Sequence, residues 1–393
     1  MRALLTSIIV AASLVLAGCA TSLSPRADET AALFADALFG PPSEKVGAQE
    51  IFAVNDDMRR LAHGEMTALV RKAGVHGALV EGLFRTGRLK LEYESTVTRN
   101  AAQAFEARAG NCLSLVIMTA AFAKELGLQV RYQSAHISEA WRLKGDLLLL
   151  NGHVNLTLGQ PSRLTRRSSS PGADWIRYES TVDFLPADEM RGLRTVEIPE
   201  SLVVAMFMNN RAVESMVEGR LDDAYAWARE AVRVQPSFVA AQNTLGVVYL
   251  RRGALEQAAA VFRHALALEP DHTSLLANYA EVASRAGRLA EAEQLRARLA
   301  RLEPEPPLHF FNLGVAAMQR EDFRAARNLF EKEAARGDAS ADVHFWLSVA
   351  YYRLGDIERA KREMALATEA SASQGERQLY AAKLDWLRAR QTN

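Results

Sequence analysis

The sequence predicts an α+β domain followed by an all-α solenoid of helical repeats. Between about residues 90 and 190, an apolar helical segment is followed by several short strand-like segments. From about Ala205 onward, small residues and prolines recur with a period of 34 residues. Of the 393 residues, 49% are hydrophobic and 24% are charged, which provides enough apolar surface for two or more packed domains.

The first residues have the composition of an export signal. A short basic start precedes the apolar residues 3–17, and the run ends in the small-residue motif LAGC at Cys19. The run is too short to span a membrane. The motif resembles the lipobox of bacterial lipoproteins, which implies a cleaved signal peptide over 1–18, lipidation of Cys19 and a tether over 19–26. Because Ala20 follows the cysteine, the resemblance implies a lipid anchor at the periplasmic face of the outer membrane. An ordinary signal peptide with a chance cysteine is the alternative.

Composition and cysteine count exclude several classes of site. The sequence has two cysteines, so lipidation of Cys19 would leave Cys112 as the only free thiol, with no disulfide within the monomer and no four-cysteine zinc site. Basic and acidic residues number 47 each, so the basic excess typical of nucleic-acid binding is missing. The sequence has no glycine-rich phosphate loop and no His-Glu-x-x-His motif. We therefore expect no metal, no cofactor and no nucleic-acid partner.

Cys112 stands in a context that favours a reactive thiol. It follows Gly110, which permits a tight turn, and it opens the apolar segment 113–126, whose spacing predicts a helix. The unpaired N–H groups and the positive dipole end of a helix N-terminus favour the thiolate, which is the nucleophilic form. A small, buried core cysteine is the structural alternative.

A cysteine nucleophile also needs a base and a group that orients the base. His153 and Asp183 each lie downstream of Cys112 in a strand-like apolar run. His153 would exchange the proton, and Asp183 would align its imidazole. His136, at the end of the first strand after the helix, is the competing base.

The order of these residues resembles the transglutaminase-like (papain-like) core of thiol hydrolases. The resemblance rests on the segments AAQAF from Ala101, GNC up to Cys112 and AKELGLQVR up to Arg131. It implies a transglutaminase-like domain with N-terminal helices over 27–200, and the residues 31–39 are one such predicted helix.

The resemblance also implies an activity: cysteine-dependent acyl transfer, in the form of amide or peptide hydrolysis, with Cys112, His153 and Asp183 as the catalytic residues. Many members of the family carry an aromatic residue two places after the histidine, where this chain has Asn155.

The second half of the chain has an internal repeat. Glycine recurs in four of five units, alanine follows five residues later in each unit, and proline ends the first three. The pattern is similar to the tetratricopeptide repeat (TPR), a helix-turn-helix unit of that length. It predicts five units over 205–374 and a capping helix over 375–393. The units are 205–238, 239–272, 273–306, 307–340 and 341–374.

Repeats of this class form a superhelix whose concave groove is lined by the first helix of each unit. The groove is expected to bind a protein or peptide, and arginines at one position per unit could form a basic ridge for an acidic or carboxyl-terminated peptide. Solvated charges at the rim of the groove are the alternative. The predicted groove residues are Asn209, Asn243, Arg251, Arg285, Phe311, Phe345, Tyr352 and Arg353.

Two functions are consistent with the sequence. The first is a membrane-anchored, thiol-dependent acyl-transfer enzyme whose repeats bind a substrate or partner. The second is a non-catalytic TPR adaptor lipoprotein that uses the thiol-hydrolase fold as a scaffold. The two differ in whether the side chains of Cys112, His153 and Asp183 lie within hydrogen-bonding distance of one another.

Overall fold

The computed structural model describes most of the chain from Thr30 to Ala389. The described residues are 30–66, 69, 77–79, 81, 83, 91–94, 97–136, 141–144, 147–150, 153–159, 180–184, 194–305, 308–336, 339–371 and 374–389. The predicted signal peptide, the tether and Cys19 lie outside them. Within them, no helix is long and apolar enough to cross a membrane.

The thiol helix and its approach are built from short, well-capped elements. Helix α1 (Asp56–Arg60) begins after Asn55, whose side chain accepts a hydrogen bond from the backbone N–H of Met58. Strand β1 (Glu92–Tyr93) pairs in parallel with β2 (Ala109–Gly110), on either side of α2 (Ala101–Ala107). Helix α3 (Cys112–Glu125) follows β2 directly, so the sheet pairing fixes where the helix starts.

Helix α3 is the centre of the N-terminal core. Every residue from Leu113 to Ala123 is buried, so the helix is enclosed on all sides. Phe122, on α3, packs edge-to-face against Phe105 of α2, with ring centroids 5.6 Å apart. A helix enclosed in this way has little freedom to move its first residue, Cys112.

A four-stranded antiparallel sheet packs with α3. Its strand order is β7-β6-β3-β8, and a separate hairpin joins β4 to β5. Along β6, the alternate residues Val154, Leu156 and Leu158 belong to the same hydrophobic cluster as α3. The strands are β3 (Gln129–His136), β4 (Trp141–Lys144), β5 (Leu147–Leu150), β6 (His153–Gly159), β7 (Ser180–Val182) and β8 (Arg194–Ile198).

The second half of the chain consists of paired antiparallel helices followed by a last single helix. Glycines with φ between 75° and 83° end the first helix of four pairs, at the positions where the 34-residue pattern placed them. Glu321 takes this left-handed conformation in the remaining pair, with φ 61°. The helices are α4 (Glu200–Val217), α5 (Leu221–Val234), α6 (Val239–Arg252), α7 (Leu255–Leu268), α8 (Thr273–Arg285), α9 (Leu289–Leu302), α10 (His309–Gln319), α11 (Phe323–Ala334), α12 (Ala341–Arg353), α13 (Ile357–Glu369) and α14 (Gln374–Ala389).

The hydrophobic core of the described residues is divided into two clusters. One extends from the thiol domain through the first repeats to Val282, and the other extends from Ala317 to Leu387. Helix α9, which is described over its whole length, buries only Ala292 because most of its remaining positions are charged or exposed. The division falls between the third and fourth repeat units.

The segment around Ala35 is attached to the first two repeat units. The backbone N–H of Ala35 donates to the hydroxyls of Tyr225, at 3.0 Å, and Tyr249, at 2.9 Å. The ring of Phe39 stacks on that of Tyr225, with centroids 3.9 Å apart. Of the predicted helix over 31–39, Ala31 is helical and Asp36–Leu38 form a 3-10 turn. The helix is not continuous, because tyrosine hydroxyls take the backbone donor of Ala35 that a continuous helix would need.

Candidate thiol site and repeat groove

Cys112 is the first residue of α3, as the sequence indicated. Asn111 precedes it in an extended conformation and caps the helix. The Asn111 Oδ1 atom accepts hydrogen bonds from the backbone N–H of Ser114, at 2.9 Å, and from the Ser114 hydroxyl, at 2.8 Å. Cys112 itself is half-buried, which leaves part of the residue open to solvent.

The cap is held from behind by a chain of hydrogen bonds that reaches the first repeat unit. Asn111 Nδ2 donates to Thr98 Oγ1 at 2.9 Å, and the backbone N–H of Thr98 donates to Glu214 Oε1 at 2.8 Å. Glu214 lies on α4, the first helix of the repeats. The position of the thiol therefore depends on contacts from both halves of the chain.

Gly110 allows the chain to pass close to the thiol helix. A Cβ atom at this position would lie 2.7 Å from the Cβ of Ser114, which is closer than carbon atoms approach in proteins. Its φ is not in the left-handed region, so the close approach is what requires glycine. The sequence predicted a tight turn at Gly110, whereas the structure requires glycine there for the close contact with Ser114.

His153 and Asp183 are in direct contact. His153 begins β6, and Asp183 directly follows β7, the strand that pairs with β6. The Nε2 atom of His153 lies 2.7 Å from Oδ1 of Asp183, and both side chains are only 2% exposed. In this low-dielectric setting the carboxylate fixes the ring and favours its charged form.

Cys112 completes the contact on the imidazole. The thiol of Cys112 lies near enough to the ring of His153 to raise the pKa of the imidazole, and since Nε2 faces Asp183, Nδ1 is the nitrogen left for the sulfur. Burial opposes the charged ring, but the hydrogen bond to Asp183, the nearby thiol of Cys112 and the charges of both groups outweigh it and raise the pKa of His153 to about 9. The structure thus brings the three residues together, with the imidazole protonated at neutral pH.

Asn155 is a member of the site that the sequence reasoning did not assign. Its Nδ2 atom donates to Oδ2 of Asp183 at 2.8 Å, and the residue is 3% exposed. Its position two residues after His153 was the available signal, because alternate residues of a strand share a face. The side chain of the competing base, His136, is outside the part of the chain that the structure describes.

The described residues contain no group of three or more His, Cys, Asp or Glu side chains that could hold a metal ion.

The predicted groove residues of the first three units are polar, and some of them form hydrogen bonds or ion pairs with neighbouring side chains. Asn243 accepts a hydrogen bond from Asn278 Nδ2 at 2.8 Å, and Asn209 is half-buried. Arg251 is exposed, and Arg285 pairs with Glu281 at 2.6 Å. Carboxylates therefore offset part of the predicted basic ridge.

The predicted groove residues of the last two units are mainly aromatic. Phe311 packs against Phe330 with ring centroids 5.7 Å apart, in the second hydrophobic cluster. Arg353 lies over the ring of Phe323 at 4.1 Å and pairs with Glu321 at 3.8 Å. This arginine is thus held against its own unit.

An apolar cavity of about 440 Å³ lies where α12 meets the last helix, α14. Phe345 and Tyr352 line it from α12, and Leu379, Lys383 and Trp386 line it from α14. Leu379 is 54% exposed and Trp386 is 48% exposed, so the cavity opens to solvent through apolar side chains. This cavity combines two predicted groove residues with the predicted capping helix.

Comparison with family models identifies the helical repeats. Two models, both described as tetratricopeptide repeat, match the chain, one over residues 249–309 and the other over 210–273 and 311–375. The C-terminal part of the chain is therefore an all-helical TPR solenoid, a class that suggests protein–protein interaction. No curated protein matches the sequence significantly.

Several solved TPR structures match about half of the chain. YrrB, described as a TPR protein with an unusual peptide-binding site, is 20% identical, with 46% of this chain and 92% of that chain covered and a TM-score of 0.25. PilF of Pseudomonas aeruginosa is 21% identical, with coverages of 49% and 86% and a TM-score of 0.31. A thermophilic TPR protein of Thermus thermophilus is 19% identical, with coverages of 46% and 98% and a TM-score of 0.31. Likeness at this level carries no functional argument.

Proposed function

We propose that this protein is a thiol-dependent acyl-transfer enzyme, an amide or peptide hydrolase, whose repeats bind the substrate or a partner protein. One observation carries the proposal: Cys112 at a helix N-terminus contacts His153, which contacts Asp183 at 2.7 Å. Nucleophile, base and orienting group in this order form the arrangement of a catalytic triad. The resemblance to the transglutaminase-like core supports the same activity.

The geometry permits a balanced reaction. The Cys112 thiolate attacks the carbonyl carbon of an amide, and the backbone N–H of Cys112, one of those without an intrahelical partner, can stabilise the oxyanion. The imidazolium of His153 gives its proton to the nitrogen as the C–N bond breaks, which leaves a thioester and a free amine. Water then adds to the thioester carbonyl while His153 takes a proton from that water. The C–S bond breaks, the carboxylic acid leaves, and the thiolate and imidazolium are restored.

The test is the rate at which iodoacetamide alkylates Cys112 in the folded protein near neutral pH, read by peptide mass mapping. His153→Ala should slow the reaction, because it removes the cation that stabilises the thiolate. Asp183→Asn should slow it less, since the ring remains but is less firmly oriented. His63→Ala is the matched control, because the His63 side chain is 58% exposed and pairs with Glu125 at 2.8 Å, at the opposite end of α3 from Cys112. Equal rates in both histidine variants, or labelling only after unfolding, would contradict the proposal.

The second candidate is a TPR adaptor without catalysis. Its support is that the family models match only the repeat region, a class associated with protein–protein interaction. The apolar cavity lined by Phe345, Tyr352 and Trp386 is a suitable surface for a peptide side chain, and Lys383 at the same cavity favours a nearby acidic group. An unreactive Cys112 together with binding that is lost in Trp386→Ala would favour the adaptor over the enzyme.

The lipobox resemblance supports a lipid anchor at Cys19 and a position on the periplasmic face of the outer membrane. Cys19→Ala should abolish lipidation and release the protein from membranes. Cell fractionation and lipid labelling measure this directly. A variant that still sediments with membranes and carries labelled lipid would contradict the anchor.

A further inference from the structure

We infer that Asn155 is a positioning residue of the thiol site, which holds Asp183 in the orientation that aligns His153. The inference rests on the proposed function, since it concerns the same three-residue site. It adds a fourth residue, for which neither the family resemblance nor the repeat comparisons provide a role.

The two oxygens of the Asp183 carboxylate have different partners. Oδ1 lies 2.7 Å from His153 Nε2, and Oδ2 accepts from Asn155 Nδ2 at 2.8 Å. A carboxylate fixed at both oxygens cannot rotate about its side-chain bond without losing a hydrogen bond. Asn155 therefore determines the plane in which Asp183 meets the imidazole.

Strand geometry explains why these residues meet. In the register of β6 with β7, Leu156 lies opposite Val182, so Asp183 comes opposite Asn155. His153 and Asn155 are two residues apart on β6 and share one face of the strand. One face of a single strand thus presents both the imidazole and the amide to the same carboxylate.

The buried amide of Asn155 makes one hydrogen bond, to Asp183, among the residues that the structure describes. Its Oδ1 atom has no hydrogen-bond partner among the residues that the structure describes, and the residue is 3% exposed. A buried amide carbonyl without a partner is unfavourable, because it has lost its hydrogen bonds to water and gained none in the protein. A leucine has a similar volume and would avoid that cost, but it could not donate a hydrogen bond to Asp183. The hydrogen bond to Asp183 is therefore what the asparagine provides.

Loss of the amide should affect the imidazole through the carboxylate. Without the donor, Asp183 Oδ2 loses a hydrogen bond that stabilises its negative charge, and this raises the affinity of the carboxyl group for a proton. A less firmly charged and less firmly oriented Asp183 stabilises the imidazolium less. His153 then loses its proton at a lower pH, and the thiolate of Cys112 loses its counter-ion.

The experiment compares Asn155→Leu with Thr157→Val in the full-length chain. Thr157 is the matched control: it lies two residues further along the same face of β6, is 4% exposed, and contacts Thr181 at 3.1 Å rather than Asp183. The first readout is the titration midpoint of the His153 ring by NMR with labelled histidine, assigned by His153→Gln. The second is the alkylation rate of Cys112 against pH.

Asn155→Leu should lower the His153 midpoint by about one pH unit and slow alkylation near neutral pH by roughly tenfold, the factor that one pH unit represents. Thr157→Val should change neither. A loss of packing alone would lower the melting temperature in both variants without moving the midpoint. Asn155→Ser has a side chain too short for its hydroxyl to reach Asp183, so it should lower the His153 midpoint by the same amount. This variant replaces Asn155→Leu if the leucine variant does not fold.

The outcomes separate the inference from the proposed function. If the wild-type thiol is reactive and depends on His153, but the midpoint is unchanged in Asn155→Leu and Asn155→Ser, the positioning role is overturned and the enzyme proposal stands. If the wild-type His153 titrates at its ordinary value and Cys112 is unreactive, the proposed function itself is overturned.

Discussion

Replacing Gly110 by alanine should damage both the stability and the reactivity of the thiol site. The added Cβ would lie 2.7 Å from Ser114 Cβ and 3.6 Å from a methyl carbon of Leu115. Both Cβ atoms are bonded directly to the backbone, so no change of rotamer relieves the first contact. The first turn of α3 must move, and with it the cap that Asn111 forms on Ser114.

The cost can be estimated from these two effects. Overpacking a tight site costs about 1–3 kcal/mol, and loss of an asparagine cap costs about 1 kcal/mol more, so Gly110→Ala should lose on the order of 2–4 kcal/mol. Urea unfolding followed by circular dichroism measures the loss, and the alkylation rate of Cys112 should fall in parallel. Gly64→Ala is the control, because its Cβ would meet nothing within 4 Å. Equal unfolding midpoints for the two variants would refute the close-approach explanation.

Two further predictions concern the repeats and the buried histidine. Ala258 is fully buried in the first hydrophobic cluster, so Ala258→Leu should lower the free energy of unfolding by about 1–3 kcal/mol. Ala267→Leu, at an exposed position of the same helix, should be nearly neutral. Thermal melting of both variants measures the difference. Because the folded state raises the pKa of His153 to about 9, the stability from its protonation is complete below about pH 6.5 and is lost as the pH rises through 9. The loss is at most about 3 kcal/mol, and the melting temperature should therefore fall more steeply from neutral to alkaline pH in the wild type than in His153→Gln.

Local rules were sufficient to locate the thiol and the repeat turns. The first backbone N–H groups of a helix need an acceptor, and the side chain of Asn111, directly before Cys112, supplies one. The glycines of the 34-residue pattern occur where the backbone requires a left-handed residue. Both features depend on a few neighbouring residues and are therefore visible in the sequence.

Features that depend on distant contacts could not be derived in this way. The segment around Ala35 lost its predicted helix to hydroxyls of Tyr225 and Tyr249, which follow about 200 residues later. The role of Asn155 required the register of β6 with β7, which no local pattern specifies. The division of the core at α9 could not be predicted, because a repeat period does not reveal how much apolar surface each helix presents to the next unit.

The most direct test of acyl transfer at Cys112 is the reaction of the folded protein with an activated acyl ester such as p-nitrophenyl acetate, followed by release of p-nitrophenol. The proposed mechanism predicts a burst stoichiometric with the protein, an acyl group on Cys112 by mass spectrometry, and a slower burst in His153→Ala than in His63→Ala. A burst of the same size in Cys112→Ala, or no acyl group on Cys112 in the wild type, would contradict it.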